Sequence, residues 1–289
     1  MSRNKDRLGM GQSRPDAATD APPTVLQNDN PGFAFVVPTE FVALPSEGRY
    51  YPPQHPLHGE TTIEIRQMTA KEEDMLTSKT LLKKGVALDR VIQSLIVERT
   101  INAESLLVGD RNAIIIAMRV SGYGREYQTS ITCPHCGATQ QNAYDLNDAT
   151  VYTGEVPLDM EIQDNQNGTF DVVLPRSGAT VTMRLLTGHD ENRISKSSNN
   201  RKKAKQELYE QAVTTQLSHL VLAVNGDDSV SARRYLVENI PSLDSRYLRN
   251  AYRVVAPNVE LNYDFQCDEC GHEQLLEVPL SANFFWPDS

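Results

Sequence analysis

The chain has four cysteines, and they form two CxxC pairs that are each followed by glycine. The first pair is Cys133 and Cys136, and the second is Cys267 and Cys270. Two thiolates at this spacing can turn toward one metal ion, and the glycine permits the backbone to bend. Four thiolates leave no coordination position for water, which is typical of structural zinc. We therefore predict one structural zinc ion per chain.

Two other uses of the cysteines stay open. The sequence Cys-Pro-His-Cys also occurs in dithiol redox proteins, but those motifs open a helix. This one lies between two predicted strands and has a partner pair, which favours zinc. A site shared between two chains is the second alternative. His135 and His272 lie inside or beside the pairs, and we expect them to be exposed loop residues, with hydrogen bonds to the site as the alternative.

The stretch between the two pairs is far longer than the loop of an ordinary zinc ribbon, and an internal repeat accounts for it. Near the cysteines, identities recur at one constant difference in residue number, and they include Asp110 with Asp244, Arg119 with Arg253, Glu126 with Glu260, Gly137 with Gly271 and Gln140 with Gln274. Further upstream, LPSEG at 44–48 resembles LPRSG at 174–178, and TIEIRQMTAKEE at 62–73 resembles TVTMRLLTGHDE at 180–191.

This repeat predicts an α+β fold with two tandem copies of a hairpin-helices-strand unit, joined by a split, zinc-ribbon-like site of four cysteines. Residues 1–31 are expected to form a flexible arm, because Ser, Asp, Asn, Pro and Gly dominate them. Repeat 1 would cover residues 32–150 with the first cysteine pair. Repeat 2 would cover residues 151–289 with the second pair and an aromatic tail. Loss of Cys133 is then expected to uncouple the two repeats.

Local patterns predict the elements that position the cysteines. Thr69 followed by Glu72 is a capping-box signature, and the helix that begins there should end at Gly85. LDRVIQSLIVERT at 88–100 and QELYEQAVTTQLSHLVLAV at 206–224 predict two further helices. Alternating segments on both sides of each CxxC pair predict strands, so each pair should lie at the tip of a hairpin.

Motifs of the common catalytic sites are missing from the sequence: it has no Walker loop, GxSxG, HExxH or GxGxxG. The acidic clusters around Glu72 and Asp190 lie at predicted helix starts, where the helix dipole favours negative charge. We therefore expect a non-enzymatic protein without a small-molecule substrate.

Charge and hydropathy restrict the possible partners. The net charge of −10 and the isoelectric point near 5.1 disfavour general nucleic-acid binding, which needs a basic face. A membrane helix needs about 20 apolar residues, and no stretch approaches this length. The N-terminal residues lack the apolar core of a secretory signal, so we expect the protein to be made in a reducing cytoplasm.

Two further segments are candidate contact sites. Phe284, Phe285 and Trp286 are three adjacent aromatic residues, which are costly to leave in water. They either fold back onto the core or contact a partner protein. The basic stretch Arg201–Lys205 is either a solvated loop or a contact with an acidic partner, and phosphate binding is the alternative.

Several of these segments resemble one known family. They are VPTEFVALPSEGRYY at 37–51, TIEIRQMTAKEEDMLTSKTLLKKG at 62–85, the first CxxC pair and PLSANFFWP at 279–287. Together they resemble the hub and hub-assembly proteins of the T-even-type bacteriophage baseplate. The resemblance covers residues 38–137 best, with the terminal motif besides.

The resemblance implies a structural or assembly component of a contractile-tailed phage baseplate, in its hub or inner region. The implied partners are other baseplate and tail proteins, and no catalysis is implied. The implied location is the host cytoplasm during assembly and then the baseplate of the virion tail. A zinc-ribbon protein associated with nucleic acid or transcription is the alternative, motivated by the CxxCG pairs and the basic stretch.

Overall fold

A computed structural model of the chain describes residues 37–195, 212–278 and 282–285. The expected arm at 1–31, the basic stretch Arg201–Lys205 and Trp286 lie outside the described residues. Helices and strands are both present, so the predicted α+β class is confirmed. We call residues 37–152 the first half and residues 153–285 the second half.

In the first half, two strands and four helices precede the first cysteine hairpin. In chain order they are β1 (Thr39–Ala43), β2 (Thr62–Arg66), α1 (Ala70–Thr77), α2 (Lys79–Lys84), α3 (Ala87–Leu95), α4 (Val108–Tyr123), β3 (Glu126–Thr132), β4 (Thr139–Asp145) and β5 (Thr150–Tyr152). Strand β1 pairs with β2, and β3 pairs with β4, both in antiparallel fashion.

The second half follows a similar order of elements, with more strands. They are β6 (Ile162–Asp164), β7 (Thr169–Val173), β8 (Thr180–Arg184), α5 (188–195), α6 (Ala212–Leu220), β9 (Val221–Val224), α7 (Val230–Asn239), α8 (Ser242–Val255), β10 (Asn258–Glu260), β11 (Asn262–Gln266) and β12 (Glu273–Glu277). Strands β6, β7, β8 and β9 form one antiparallel sheet in that order, and β11 pairs with β12.

A buried aspartate ties the turn of each N-terminal hairpin to a later helix. Asp110, in the first turn of α4, accepts hydrogen bonds from the backbone N–H of Ser46 at 3.0 Å, its hydroxyl at 2.6 Å and the Tyr51 hydroxyl at 2.8 Å. Asp244, in the first turn of α8, accepts from the backbone N–H groups of Arg176 at 2.7 Å and Ser177 at 3.0 Å. Both aspartates are fully buried, so these bonds fix the hairpins against the helices.

A second interaction also occurs in both halves, at the start of the helix after the hairpin. In the first half, Arg66 forms a two-pronged ion pair with Glu72, and the Thr69 hydroxyl donates to the same carboxylate. In the second half, Arg184 pairs with Asp190 and the Thr187 hydroxyl donates to it. The predicted capping box at Thr69 is present. The acidic clusters therefore cap helices and bind arginine.

Three sequence predictions about helices were wrong in extent. The helix expected to run from Thr69 to Gly85 is broken at Ser78, which is extended and whose hydroxyl caps α2. Helix α3 ends at Leu95, because the next residues pair with β2. The segment Val221–Val224 is strand β9 rather than helix, since the edge of β8 gives its backbone partners. Its run of β-branched and apolar residues suits a strand equally well.

The two halves also contact each other away from the cysteine hairpins. Strand β5 pairs with β10, and the backbones of Leu106 and Gly188 are joined by a 3.0 Å hydrogen bond. Arg111 of α4 is buried and lies 2.7 Å from a carboxylate oxygen of Asp89 and 3.3 Å from one of Glu191. A Cβ at Gly188 would clash with the Arg111 guanidinium. These contacts between the halves would remain after loss of Cys133, whose predicted uncoupling effect stays a prediction.

The capping carboxylate gives a pH-dependent prediction. Burial alone would raise the pKa of Glu72, but hydrogen bonds from Arg66 and Thr69 lower it to about 2. A carboxylate whose pKa is lower in the folded state stabilises the fold, and this stabilisation is complete at pH values above its unfolded-state pKa of about 4.3. This stabilisation is lost as pH falls through about 2.

We predict that Glu72→Gln lowers the free energy of unfolding at pH 7 by roughly 2 kcal/mol, because Arg66 loses its buried partner. The difference from wild type should shrink as the pH falls below about 4. Chemical denaturation between pH 7 and pH 2.5 measures it. The matched control is Glu73→Gln, on the exposed side of the same helix. A pH-independent deficit would contradict the assigned role of the carboxylate.

Candidate metal centre

Each cysteine pair lies at the tip of an antiparallel hairpin, as predicted. The backbone N–H of Cys133 donates to Ala138 at 2.7 Å, and that of Gly137 donates back to Cys133 at 2.9 Å. The second tip repeats this pattern, because the Cys267 N–H donates to the His272 carbonyl and the Gly271 N–H donates to the Cys267 carbonyl. Both glycines have positive φ, at 77° and 67°. An added Cβ would meet no atom at either one, so backbone conformation, not space, favours glycine.

The two tips bring all four sulfur atoms together, with every pair within 4.8 Å. The Sγ atoms of Cys133 and Cys270 are 3.8 Å apart, and those of Cys136 and Cys267 are 3.6 Å apart. A tetrahedral zinc site with Zn–S bonds of about 2.3 Å has sulfur–sulfur edges of about 3.8 Å. A disulfide would bring two sulfurs to about 2.05 Å. The donor set therefore fits one tetrahedral metal ion.

Hydrogen bonds shift the pKa values of the cysteine thiols in opposite directions. Burial would raise the pKa of the Cys133 thiol, but backbone N–H groups of Cys136 and His135 lower it to about 6. For Cys270, the N–H of His272 lowers the pKa, but desolvation and the three neighbouring thiols outweigh it and raise the pKa to about 12. The four thiols therefore do not ionise alike, because hydrogen bonds with the neighbouring thiols lower the pKa of Cys133 and raise that of Cys270.

The side chain of Gln140 on β4 joins the first cysteine hairpin to the second through two hydrogen bonds. Its side-chain amide donates to the Gln266 carbonyl at 3.0 Å, and its side-chain oxygen accepts from the Asp268 backbone N–H at 3.0 Å. Gln274 occupies the matching place in the second half, but its side-chain oxygen hydrogen-bonds to His272 on its own hairpin. The residue that matches Asp268 is Pro134, which has no backbone N–H to donate. We call the two hydrogen bonds of Gln140 the Gln140 bracket. It has no counterpart from Gln274, so it is one-sided, and sequence reasoning did not identify it.

The aromatic residues around the site stack across the two hairpins. Below the cysteines, the rings of Tyr144 and Tyr263 meet edge to face with centroids 4.6 Å apart. The rings of His135 and His272 are stacked with centroids 5.3 Å apart. His135 is exposed and His272 is half-buried, and neither belongs to the cluster of four ligand atoms.

Comparison with known proteins decides the family. A model of the family described as T4 bacteriophage base plate protein matches residues 39–286, most of the chain. This chain belongs to the T4 bacteriophage base plate protein family. The match bears out the resemblance seen in the sequence and extends it through the second half. No curated protein and no solved structure matches the chain.

Membership of the baseplate family indicates a structural role in a phage and a location in the virion tail. Other phage tail proteins are the partners that such a family suggests. Within the part of the chain that the structure describes, no helix has the length and apolar character needed to span a bilayer.

The aromatic candidates of this baseplate protein lie partly in its own core. Phe284 and Phe285 are 3% and 9% exposed, so these two residues fold back onto the core. The Phe284 ring meets Tyr127 edge to face at 5.2 Å, and Arg119 of α4 donates to the Phe284 carbonyl. Trp286 lies outside the described residues, so its contact with a partner stays a prediction.

One serine–histidine pair resembles a nucleophile with its base, but its hydrogen bonds run the wrong way. His55 Nδ1 accepts from the Leu57 backbone N–H at 3.2 Å, so Nε2 carries the hydrogen and donates to Ser105 Oγ at 3.1 Å. The Ser105 hydroxyl in turn donates to the Asn102 carbonyl at 2.7 Å. A general base must accept the hydroxyl proton, so this pair is not an activated nucleophile.

The one-sided bracket predicts unequal effects at two matched glutamines. Gln140→Ala should lower the free energy of unfolding of the metal-loaded protein by about 1 kcal/mol, because it removes two hydrogen bonds between the hairpins. Gln274→Ala is the matched control and should change it by less than about 0.5 kcal/mol. Denaturant titration of both variants compares them. Equal effects would show that the bracket contributes nothing specific.

Proposed function

We propose that this protein is a structural or assembly component of a contractile-tailed phage baseplate, in the hub or inner-baseplate region. It acts through protein–protein contacts, and one structural zinc ion per chain holds its two cysteine hairpins together. The family match over residues 39–286 carries the baseplate role. The convergence of Cys133, Cys136, Cys267 and Cys270 supports the metal site.

Zinc is the metal that suits these donors best. Four thiolates in tetrahedral array select zinc or iron–sulfur chemistry, and the closed shell leaves no open position for a substrate. The inner cysteines, Cys133 and Cys267, are buried and the outer ones are exposed. Metal binding of this kind contributes on the order of 10 kcal/mol in zinc-finger peptides. In this chain that energy would oppose separation of the two hairpins.

We also propose that the two halves are tandem copies of one unit, as the sequence predicted, with the boundary near residue 150. The support is the repetition of specific buried interactions: Asp110 and Asp244 hold matching hairpin turns, and Glu72 and Asp190 cap matching helices. The zinc site is then the point where the same hairpin from each copy meets its counterpart.

The charge distribution disfavours the nucleic-acid alternative. Residues 126–175 and 254–289, which include both cysteine hairpins, contain no lysine or arginine. A nucleic-acid surface needs positive charge near the phosphates. The hairpins instead carry carboxylates such as Asp264, Glu273 and Glu277. Flat gel-shift titrations at low salt are the expected result for this protein.

Metal content tests the zinc site. The purified protein should contain about one zinc per chain, released as its four thiols react with a mercurial reagent. Cys133→Ser should lose the metal and unfold at lower temperature, yet still in one transition, since the β5–β10 pair and the Arg111–Glu191 ion pair also join the halves. His135→Ala is the control and should keep its zinc. Metal-free wild type with a redox-active Cys133–Cys136 pair would overturn the proposal.

Phage complementation tests the baseplate role. A phage that lacks this gene should assemble baseplates when wild type or His135→Ala is supplied, and the protein should sediment with baseplates or their precursors. Cys133→Ser and Cys267→Ser should fail to complement, because the hairpins lose their metal. Normal tails without any copy of the protein would exclude a role in the baseplate or its assembly.

A further inference from the structure

The outer face of the second cysteine hairpin carries an exposed leucine among carboxylates. Strand β11 pairs with β12, and we call their exposed outer residues the acidic face: Asn262, Asp264, Gln266, Glu273, Leu275 and Glu277. Leu275 is 60% exposed and lies opposite Asp264. Glu273 and Glu277 flank Leu275 on the same side of β12. Like charges on neighbouring positions of one face repel each other, so hairpin stability does not account for these carboxylates.

The first cysteine hairpin has no charge at the matched positions of its outer face. At the difference in residue number that separates the cysteine pairs, the matched residues are Gln128, Ser130, Thr132, Thr139, Gln141 and Ala143. These side chains are exposed as well. The same hairpin therefore forms without carboxylates or a leucine on this face. The acidic face thus indicates a contact with another molecule rather than a requirement of the fold.

Helix α8 carries the opposite charge on its outer side. Arg246, Arg249 and Arg253 are three and four residues apart, so they line one side of the helix, and we call them the arginine stripe. Arg246 and Arg253 are exposed, and Arg249 is half-buried. Within the described chain no carboxylate pairs with these guanidinium groups, and their one hydrogen bond runs from Arg249 Nε to the Ser245 carbonyl at 3.3 Å. Their charge is therefore available to another molecule.

The first half uses the matched positions of α4 for contacts inside the protein. Asn112, Ile115 and Arg119 stand there, at the same difference in residue number. Ile115 is buried, and the Asn112 side-chain amide donates to Asn258 at 3.0 Å. The Arg119 guanidinium is buried and donates to the Phe284 carbonyl, among others. The arginine stripe is thus particular to the second half, as the acidic face is.

One cavity of about 550 Å³ joins the two surfaces. Its lining includes Arg249 and Arg253 of the arginine stripe and Glu277 of the acidic face, with Glu260 beside them. No ion pair joins an arginine to a glutamate among these described residues. Opposite charges therefore lie side by side without being paired. Such a surface is complementary to a second copy of itself turned by a half-turn, because each charge then meets the opposite one.

We propose that this surface binds a second copy of the protein in a twofold dimer. The arginine stripe of each copy faces the acidic face of the other, and Leu275 packs against the aliphatic parts of the arginine side chains. Electrostatic complementarity of this kind fixes the orientation of the two copies and excludes partners of the wrong charge. The inference concerns self-association and does not depend on the proposed zinc or baseplate roles.

Sedimentation equilibrium of the full-length protein tests the proposal. Wild type should form a concentration-dependent dimer whose dissociation constant rises at least ~10-fold between about 50 and 500 mM sodium chloride, because salt screens exposed charges. Arg246→Glu/Arg253→Glu and Glu273→Arg/Glu277→Arg should each raise the dissociation constant at least ~10-fold, because like charges then face each other. The control is Arg90→Glu/Arg99→Glu, which makes the same change of charge at exposed positions of the first half.

An equimolar mixture of the two charge-reversed variants keeps the test decisive. In a mixed dimer each reversed surface again meets its opposite, so the mixture should recover the dimer that neither variant forms alone. Misfolded variants could not give this recovery. A wild type that stays monomeric, a dimer that neither reversal weakens, or a mixture without recovery would overturn the proposal. Zinc content and phage complementation are separate measurements, and that failure would leave their expected results unchanged.

Discussion

Four sulfur atoms from two cysteine pairs far apart in the sequence must meet in one small cluster, and the rest of the fold serves this constraint. Neither hairpin can complete a tetrahedral site by itself. Each tip must be delivered by its own half in a fixed orientation, and the halves must be held against one another. The paired strands β5 and β10, the ion pair of the buried Arg111 with Glu191 and the Gln140 bracket all lie along this junction.

The interactions that orient the hairpin turn of each half are polar and buried, and the same type of interaction occurs in both halves. Asp110 and Asp244 sit in the first turns of α4 and α8, where the helix dipole favours their charge. Burial raises the pKa of Asp110, and the donors from Ser46 and Tyr51 oppose that rise. Buried carboxylates of this kind favour one conformation, because only one register of the hairpin turn gives them their hydrogen-bond donors. The halves diverge at other positions, such as Pro134, which matches Asp268 and leaves the hydrogen bonds of Gln140 without a counterpart.

The sequence predicted that the four cysteines converge, because CxxCG has a fixed geometric meaning and two such pairs can complete one site. It also predicted the capping box at Thr69 and most strands. It could not predict the break at Ser78 or strand β9, since local helix preference lost to tertiary pairing there. Gln140 gave no signal of its own, because its partners are backbone groups of a distant hairpin. A comparison of matched positions, Pro134 with Asp268, would have indicated the asymmetry.

X-ray absorption at the zinc edge of the purified, full-length protein tests the central claim most directly, because it reads the atoms bound to the metal. Four sulfur neighbours at about 2.3 Å, with no nitrogen or oxygen in the shell, are the predicted result. A shell with nitrogen or oxygen ligands, or a protein with no bound zinc to measure, would contradict a site built from the two cysteine hairpins.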